Sequence, residues 1–494
     1  MNTLIKKLGM ENKAFWGLIA AIIAFIVSLC LPAIGTLSVL GVRTIGLLVS
    51  FLIILITSAL PVVVTSLLFV GLMTMSLGSS PDASSIGIAS YQGSLKYALS
   101  GFGDPVVYFA VASFGLTAAI TTTPLSKRIL KGLLKFFHKD MKAVLFAIML
   151  SACLISSLIS NVPTCAVFMG VSLNLLELYK DDKEKKQATK AFMIAVPVSS
   201  MIGGMMTPAG SPINLMAIGV LERVAGVSIS FAEWMVAGIP LAIVMLPLAW
   251  LVISHVHKLG PVKEEEIKTF ASSLDVPAKM TPKEIKTVVI ALTMLVLWLL
   301  SSWFSFFNVM TICILGCALL FMPGIKVLDV DAFLKNNSWD AFFLVAIVIS
   351  LGGAMSDTGV MASIGGLLPT LDFNIILVLM VICLATFLCL LLDPVATSLV
   401  SLLGPILITL AATVVVSGVS SIDPGLSTMV VLAFAFCLCN CYLLPLDTVP
   451  LITYSKGYYS LSDMFKCTWI LQLSLLVLVS LWVPVVGMMF QLME

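Results

Sequence analysis

Apolar residues fall into runs of about twenty, separated by short polar punctuation, along nearly the whole chain. A helix of that length crosses the roughly 30 Å hydrocarbon core of a bilayer. Runs at 14–34, 37–58, 61–78 and 104–122 predict four spans, and the Ser/Gly-rich stretch 79–103 an outer connection. The apolar segment 143–178 is flanked by basic residues on both sides, Lys127 to Lys142 and Lys180 to Lys190, so its two ends share one side of the membrane. That predicts a re-entrant hairpin with Ser160-Asn161-Val162-Pro163-Thr164 at its tip. Polar groups at membrane depth cannot face lipid, so this tip lines a cavity. The run at 191–222 is broken in its middle by Thr207-Pro208-Ala209-Gly210-Ser211-Pro212, where two prolines and a glycine stop an α-helix.

A span at 231–256, a charged loop at 257–286 and three spans within 287–357 follow, and then the pattern recurs. A second apolar hairpin, 374–416, is interrupted at Asp393-Pro394-Val395-Ala396-Thr397-Ser398; a second broken helix, 426–459, is interrupted from Leu444 to Pro450; a last span runs over 467–490. The first hairpin opens inward and the second outward, which is an inverted repeat. After the first break comes Ser230-Phe231-Ala232-Glu233 and after the second Ser462-Asp463-Met464-Phe465. Paired Gly/Pro interruptions in two halves point to a transporter's midplane binding site. The expected fold is an all-α polytopic membrane protein of about eleven spans plus two re-entrant hairpins.

Composition agrees and removes other classes. Of 494 residues 60% are hydrophobic and 11% charged, with mean hydropathy +1.14, which excludes a soluble protein. A net charge of +2 gives no reason to expect nucleic acid as a partner. Lys and Arg gather in 1–13, 124–142, 180–190 and 258–286, and none occurs from Asn336 to Ser455. By the positive-inside rule the four basic segments are cytoplasmic, so the N-terminus lies inside and the C-terminus outside a cell membrane. The segment 124–142 reads as an amphipathic cytoplasmic helix, and the first apolar run, too long for a signal core, as a retained span. Cys437, Cys439 and Cys441 alternate around a helix with no His nearby, so no metal centre is expected. There is no nucleophile-and-base set, phosphate loop or dinucleotide fingerprint: the chain reads as no enzyme and implies no cofactor beyond a coupling ion.

A broken helix exposes unpaired N–H groups at one end and unpaired carbonyls at the other, which suit an anion and a hard cation such as Na⁺. Ser156 and Ser160, four apart, share a helix face leading to Asn161, and with the Gly210 carbonyl they form a plausible sodium shell. Thr207, Ser211 and Asn214 beside the break are ligands or helix caps. Asp393 and Asp447 are the deep carboxylates, each at an interruption of the second half. Such an acid is a functional candidate: either ligates a cation or carries a coupling proton, unless Asp393 caps a hairpin arm or Asp447 pairs with Lys456. Arg43 reads as structural.

At these residues the chain resembles the divalent anion:sodium symporter family of the ion transporter superfamily, carriers of di- and tricarboxylates or sulfate. The likeness rests on the Ser-Asn of the first tip, the Thr207-to-Asn214 break and the Leu-Pro-x-x-Thr-x-Pro break at Leu444 to Pro450. It implies a homodimer, a scaffold with an elevator-type transport domain, one small anion between the hairpin tips, and Na⁺ at each tip. Sodium then falls on Ser156, Ser160, Asn161 and the Gly210 carbonyl. Substrate contacts fall on Asn161, Val162, Pro212, Thr397, Thr448 and Pro450. The second tip departs from the family, reading Val395-Ala396-Thr397. There Ala396 and Asp447 mark a second cation site, or a proton replaces that cation; proton coupling and anion exchange are the alternatives to sodium, and an anion channel is the alternative to a carrier.

Overall fold

In a computed structural model the described residues are 12–304, 306–336, 339–360, 363, 374–392, 396–413, 424–445 and 447–491. They form α-helices and short 3-10 turns, with a single isolated β-bridge between Ile34 and Leu37. Five helices are long and apolar enough to cross a membrane unaided: Asn12–Cys30, Val39–Thr57, Phe231–Val256, Trp339–Asp357 and Leu461–Met489 of the helix Leu461–Gln491. Pro105–Thr121 and Leu125–Leu133 form a pair bent by 62°. Shorter apolar helices include Val62–Gly78, Met141–Ser156, Asn161–Leu176 and Val309–Phe321.

Polar contacts gather on two opposite faces. On one, Arg128 meets Glu284, Lys180 meets Glu266, and Lys190 binds Asp463 at 2.9 Å. His257 Nε2 lies 3.4 Å from the Asp463 carbonyl on the same face, and Tyr179 donates its hydroxyl to Gly260 O. On the other, Tyr97 donates its hydroxyl to Asp357, Arg223 stands 3.8 Å from Asp357, and Asp82 accepts from Val39 N–H. Between the faces the surface is apolar: Trp469, Leu473, Val477, Leu481 and Val485 are exposed at four-residue spacing along the last helix, one lipid-facing stripe.

Small residues let the helices approach. A Cβ on Gly17 would overlap Thr57 and one on Gly46 would overlap Ser28, so Asn12–Cys30 and Val39–Thr57 pack tightly. Arg43 donates to Ser76 O at 2.7 Å and to Ser79 Oγ at 3.1 Å, tying two helices together as a structural residue. The expected amphipathic helix at 124–142 is shorter than read: the helix ends at Leu133 and Met141 begins the next, because Asp140 caps Ala143 N–H. The loop 257–286 contains a helix, Glu264–Ser273.

Each half carries an interrupted helix followed by a capped one. Asp182–Gly204 ends at the first interruption and Pro212–Ala225 resumes; Pro424–Cys439 ends at the second and Thr448–Tyr454 resumes. The helix after the first break opens with a capping box between Ser230 and Glu233. The same box opens the last helix between Ser460 and Asp463, so the matching serine is Ser460 and not Ser462. The tip of the second hairpin, Asp393 to Val395, lies outside the described residues; its arms are Ile375–Leu392 and Ala396–Thr413.

Candidate functional site

At the first break the chain leaves the helix at Gly204, makes a 3-10 turn over Pro208–Gly210 and re-enters at Pro212, whose missing N–H suits a first helical position. The carbonyls freed by the break are covered by one side chain: Asn214 Nδ2 donates to Gly204 O at 2.8 Å and to Thr207 O at 2.9 Å. Thr207 donates its hydroxyl to Ser157 O, fastening the break to the first hairpin. Ser211 Oγ accepts from Ile213 N–H as the cap of the resumed helix. Trp234, from the following helix, donates to Met205 O. Thr207 and Asn214 therefore serve the break itself, as caps and staples.

The first hairpin turns between Ser157 and Ser160, which moves one expectation. Ser156 ends one arm and Ser160 stands as the N-cap residue of the next, so the two do not share a helix face. Asn161 joins them instead. Its carboxamide nitrogen donates to Ser156 Oγ at 2.7 Å, Ser200 O at 3.0 Å and Gly210 O at 3.2 Å. Three oxygens thus converge on one buried amide. The two glycines of the break make this possible: a Cβ on Gly204 would stand 2.1 Å from a terminal atom of Asn161, and one on Gly210 would stand 2.6 Å from Gly204 O. Ser200 was not legible as a site residue, because it contributes a main-chain carbonyl from the middle of an apolar run.

The second break is held the same way. Gln472, from the last helix, accepts from Tyr442 N–H at 2.9 Å and donates to Asn440 O at 3.1 Å; Thr468 donates to Leu443 O. Asp447 caps the position before Thr448–Tyr454 without a side-chain bond to the helix N–H groups, and it accepts from Thr448 Oγ1 at 3.4 Å. It forms no ion pair, with Lys456 or otherwise, among the described residues. The two breaks touch: Cys439 donates its thiol to Asn214 Oδ1 at 2.8 Å, and Asn440 Nδ2 reaches Met205 Sδ at 3.4 Å.

Where hairpin and breaks meet there is a cavity of about 800 Å³. Its wall takes Ser160, Asn161 and Val162 from the first tip, Ser211 and Pro212 from the first break, Ala396 and Thr397 from the second hairpin, and Asp447 and Thr448 from the second break. The facing wall is the helix Pro105–Thr121, through Phe114, Thr117 and Thr121. Those threonines bond their own helix, Thr117 to Ser113 O and Thr121 to Thr117 O, so they present oxygen acceptors and methyl groups to the space. Asp447 is the charged residue of the lining among the described residues. Ser156 and Gly210 stand behind Asn161 and do not line the cavity. Pro450, expected at the substrate, is buried away from it, its carbonyl accepting from Thr453 and Tyr459 hydroxyls. Asp393 lies outside the described residues.

Comparison with known proteins gives the same class. The citrate transporter family CitMHS matches residues 51–439. A sodium-dependent dicarboxylate transporter SdcS of Staphylococcus saprophyticus is 26% identical over 409 residues, 76% of each chain, and an uncharacterized transporter of Haemophilus influenzae is 24% identical over 78% of this chain and 82% of its own. In fold the chain is similar to the YdaH transporter of Alcanivorax borkumensis, with a TM-score of 0.56, 13% identity and coverage of 87% and 97%. It is likewise similar to MtrF of Neisseria gonorrhoeae, with a TM-score of 0.59, 10% identity and coverage of 87% and 94%.

Proposed function

From the premise that this chain belongs to the citrate transporter family, a multi-pass membrane transporter of the ion transporter superfamily and not an enzyme, we propose that it moves a small di- or tricarboxylate together with sodium. The observation that carries this reading is the convergence of Ser156 Oγ, Ser200 O and Gly210 O on the carboxamide of Asn161, at the edge of the cavity. Turning that amide end for end brings its Oδ1 beside the other three oxygens, a donor set of the kind a hard cation takes. The N–H groups that open the helix at Asn161, with the hydroxyls of Thr397 and Thr448, suit the carboxylates of the anion.

The cavity separates two walls, one of hairpins and broken helices, the other the intact helix Pro105–Thr121 with its neighbours Val309–Phe321 and Pro282–Leu300. Sliding the first wall against the second is alternating access of the elevator type, with about eleven spans and two hairpins in inverted repeat. The matching Ser230–Glu233 and Ser460–Asp463 boxes support two related halves. The face that gathers Lys127, Lys180 and Lys263 is then cytoplasmic, the N-terminus inside and the C-terminus outside. A homodimer goes with the family resemblance. Asp447 favours one second reading: an unpaired carboxylate in the lining fits a second cation site with Ala396, or proton coupling in its place.

Purified protein in liposomes, given labelled citrate, succinate or sulfate, should accumulate one of them under an inward sodium gradient. Accumulation indifferent to sodium but driven by a pH gradient, and abolished in D447N, would replace sodium by the proton. Exchange for internal anion without any cation would overturn both.

A further inference from the structure

The cavity does not end at the transport site. Thr121 and Val167 line both it and a second chamber of about 410 Å³, which leads to the face where the basic segments meet. This vestibule lies in the crook of the 62° bend between Pro105–Thr121 and Leu125–Leu133. Here the second helix of the pair begins. Among the described residues no acceptor is bonded to the N–H groups of Leu125, Ser126 or Lys127, the first internal bond being Arg128 N–H to Pro124 O. Pro124 offers no side-chain cap. The orphaned N–H groups and the helix dipole leave this end electropositive.

Two side chains add a hydroxyl donor and a positive charge to the space. Ser126 is 96% buried, lines the vestibule, and its hydroxyl bonds nothing among the described residues. Lys127, half-buried and lining the same chamber, forms no ion pair among the described residues, unlike its neighbour Arg128, which is taken up by Glu284. Asp275, on the exposed linker across the chamber, is the competing anion; it stands beyond ion-pair distance of Lys127.

We propose that Ser126, Lys127 and the opening N–H groups of Leu125–Leu133 form a second, vestibular site for a carboxylate anion, distinct from the transport site and reached from the face of the basic segments. The substrate's carboxylate pauses there between water and the cavity, facing a cation that the cavity itself lacks. The assignment of the anion as the transported one rests on the transport reading above; the existence of the site does not. Asp275 leaves Lys127 free in the empty vestibule, so an incoming anion has no ion pair to displace.

The test uses the full chain in detergent, titrated with succinate and with citrate by calorimetry in sodium buffer. Two classes of site are expected. K127Q and S126A should each weaken one class by about tenfold or more, as loss of a charge-assisted bond does, and leave the other in place, while K127R retains both. N161A should do the reverse. In inside-out vesicles K127Q should raise the KM for succinate with kcat nearly unchanged. Unaltered binding in both K127Q and S126A, or loss that K127R does not restore, overturns the vestibular site. Succinate uptake absent from the wild type, with the Lys127-dependent binding intact, overturns the transport reading alone; inorganic phosphate binding there with equal strength would make the site a general anion site and remove its link to the substrate.

Discussion

Gly204→Ala probes the Asn161 cluster with a single methyl group. The added Cβ would stand 2.1 Å from a terminal atom of the carboxamide, against an ordinary approach of about 3.5 Å. The amide end must therefore retreat by about 1.4 Å, which its side-chain torsions permit without moving the backbone. Bonds of 2.7, 3.0 and 3.2 Å to Ser156, Ser200 and Gly210 do not survive such a shift. At about 1 kcal/mol each, with compensation from new partners, the loss at the cation shell is roughly 1.5–3 kcal/mol, or about ten- to a hundredfold in sodium affinity. Stability should fall by less than that figure: Gly204 has no positive φ, and alanine in place of glycine near a helix end recovers up to about 1 kcal/mol of chain entropy. Uptake measured against sodium concentration, with thermal melts of the same preparations, separates the two effects. Half-saturation by sodium within twofold of wild type would refute the role given to Asn161. Gly210→Ala makes the contrast, because its Cβ meets a main-chain oxygen at 2.6 Å and the break itself must distort. It should lose several degrees of melting temperature as well as transport.

Four further outcomes follow from the same geometry. Arg128 donates two bonds to Glu284 and so holds its carboxyl below the usual range despite burial; that stabilisation is present above the unfolded value near 4.3 and is lost as pH falls through and below it. The melting temperature of the wild type should therefore drop between about pH 5 and pH 3, and E284Q should flatten that slope. Asn214→Ala uncovers the Gly204 and Thr207 carbonyls together and should cost about 2 kcal/mol, read as a lowered melting midpoint and absent uptake. Asp447→Asn should leave folding intact and change the ratio of cation to anion transported, read by paired flux of ²²Na⁺ and labelled substrate; an unchanged ratio refutes a coupling role. Asp357→Asn removes a half-exposed pair at 3.8 Å while its amide oxygen can still accept from Tyr97, so its melting shift should correspond to less than about 1 kcal/mol.

What could be read from the chain was the location of the interruptions, because Pro and Gly inside apolar runs are visible as residue types. One helix stops at Gly204 and the next begins at Pro212, another stops at Cys439 and the next begins at Thr448, and tip and break residues such as Asn161, Pro212, Thr397 and Thr448 share one cavity. What could not be read was anything carried by the main chain or by turn register. Ser200 acts through its carbonyl, which every residue possesses, so its identity gives no signal. Ser156 and Ser160 are four apart in sequence, but the helix stops between them; i, i+4 spacing implies a shared face only where a helix continues. Ser462-Asp463-Met464-Phe465 looks like the counterpart of Ser230-Phe231-Ala232-Glu233 in sequence, whereas the cap is fixed by where Asp463 can reach back to an N–H, which is at Ser460. The 62° bend that creates the vestibule carries Thr121-Thr122-Thr123-Pro124, but at the end of an apolar run beside a basic segment such residues read equally as the polar edge of a span.

The choice of main-chain groups over fixed cations in the cavity has a physical consequence. A lysine 4 Å from a carboxylate at an effective dielectric of about 20 contributes roughly 4 kcal/mol per pair, so a dianion held by two such residues would leave slowly. Helix ends carry about half a charge and are shared with water as the cavity opens, so they bind more weakly and release more readily. The Asp447 carboxylate goes further and opposes a bare dianion. In the proposed reading the anion is stable in the cavity only when a cation accompanies it, and Asn161 belongs both to the proposed cation shell and to the hairpin tip whose opening N–H groups face the anion. Each ligand raises the affinity of the other by the same factor, which is what linkage between two sites requires. On that proposal coupling needs no separate device: it would follow from withholding a permanent positive charge at the midplane, and among the described lining residues the half-buried, unpaired Lys127 stands outside, in the vestibule.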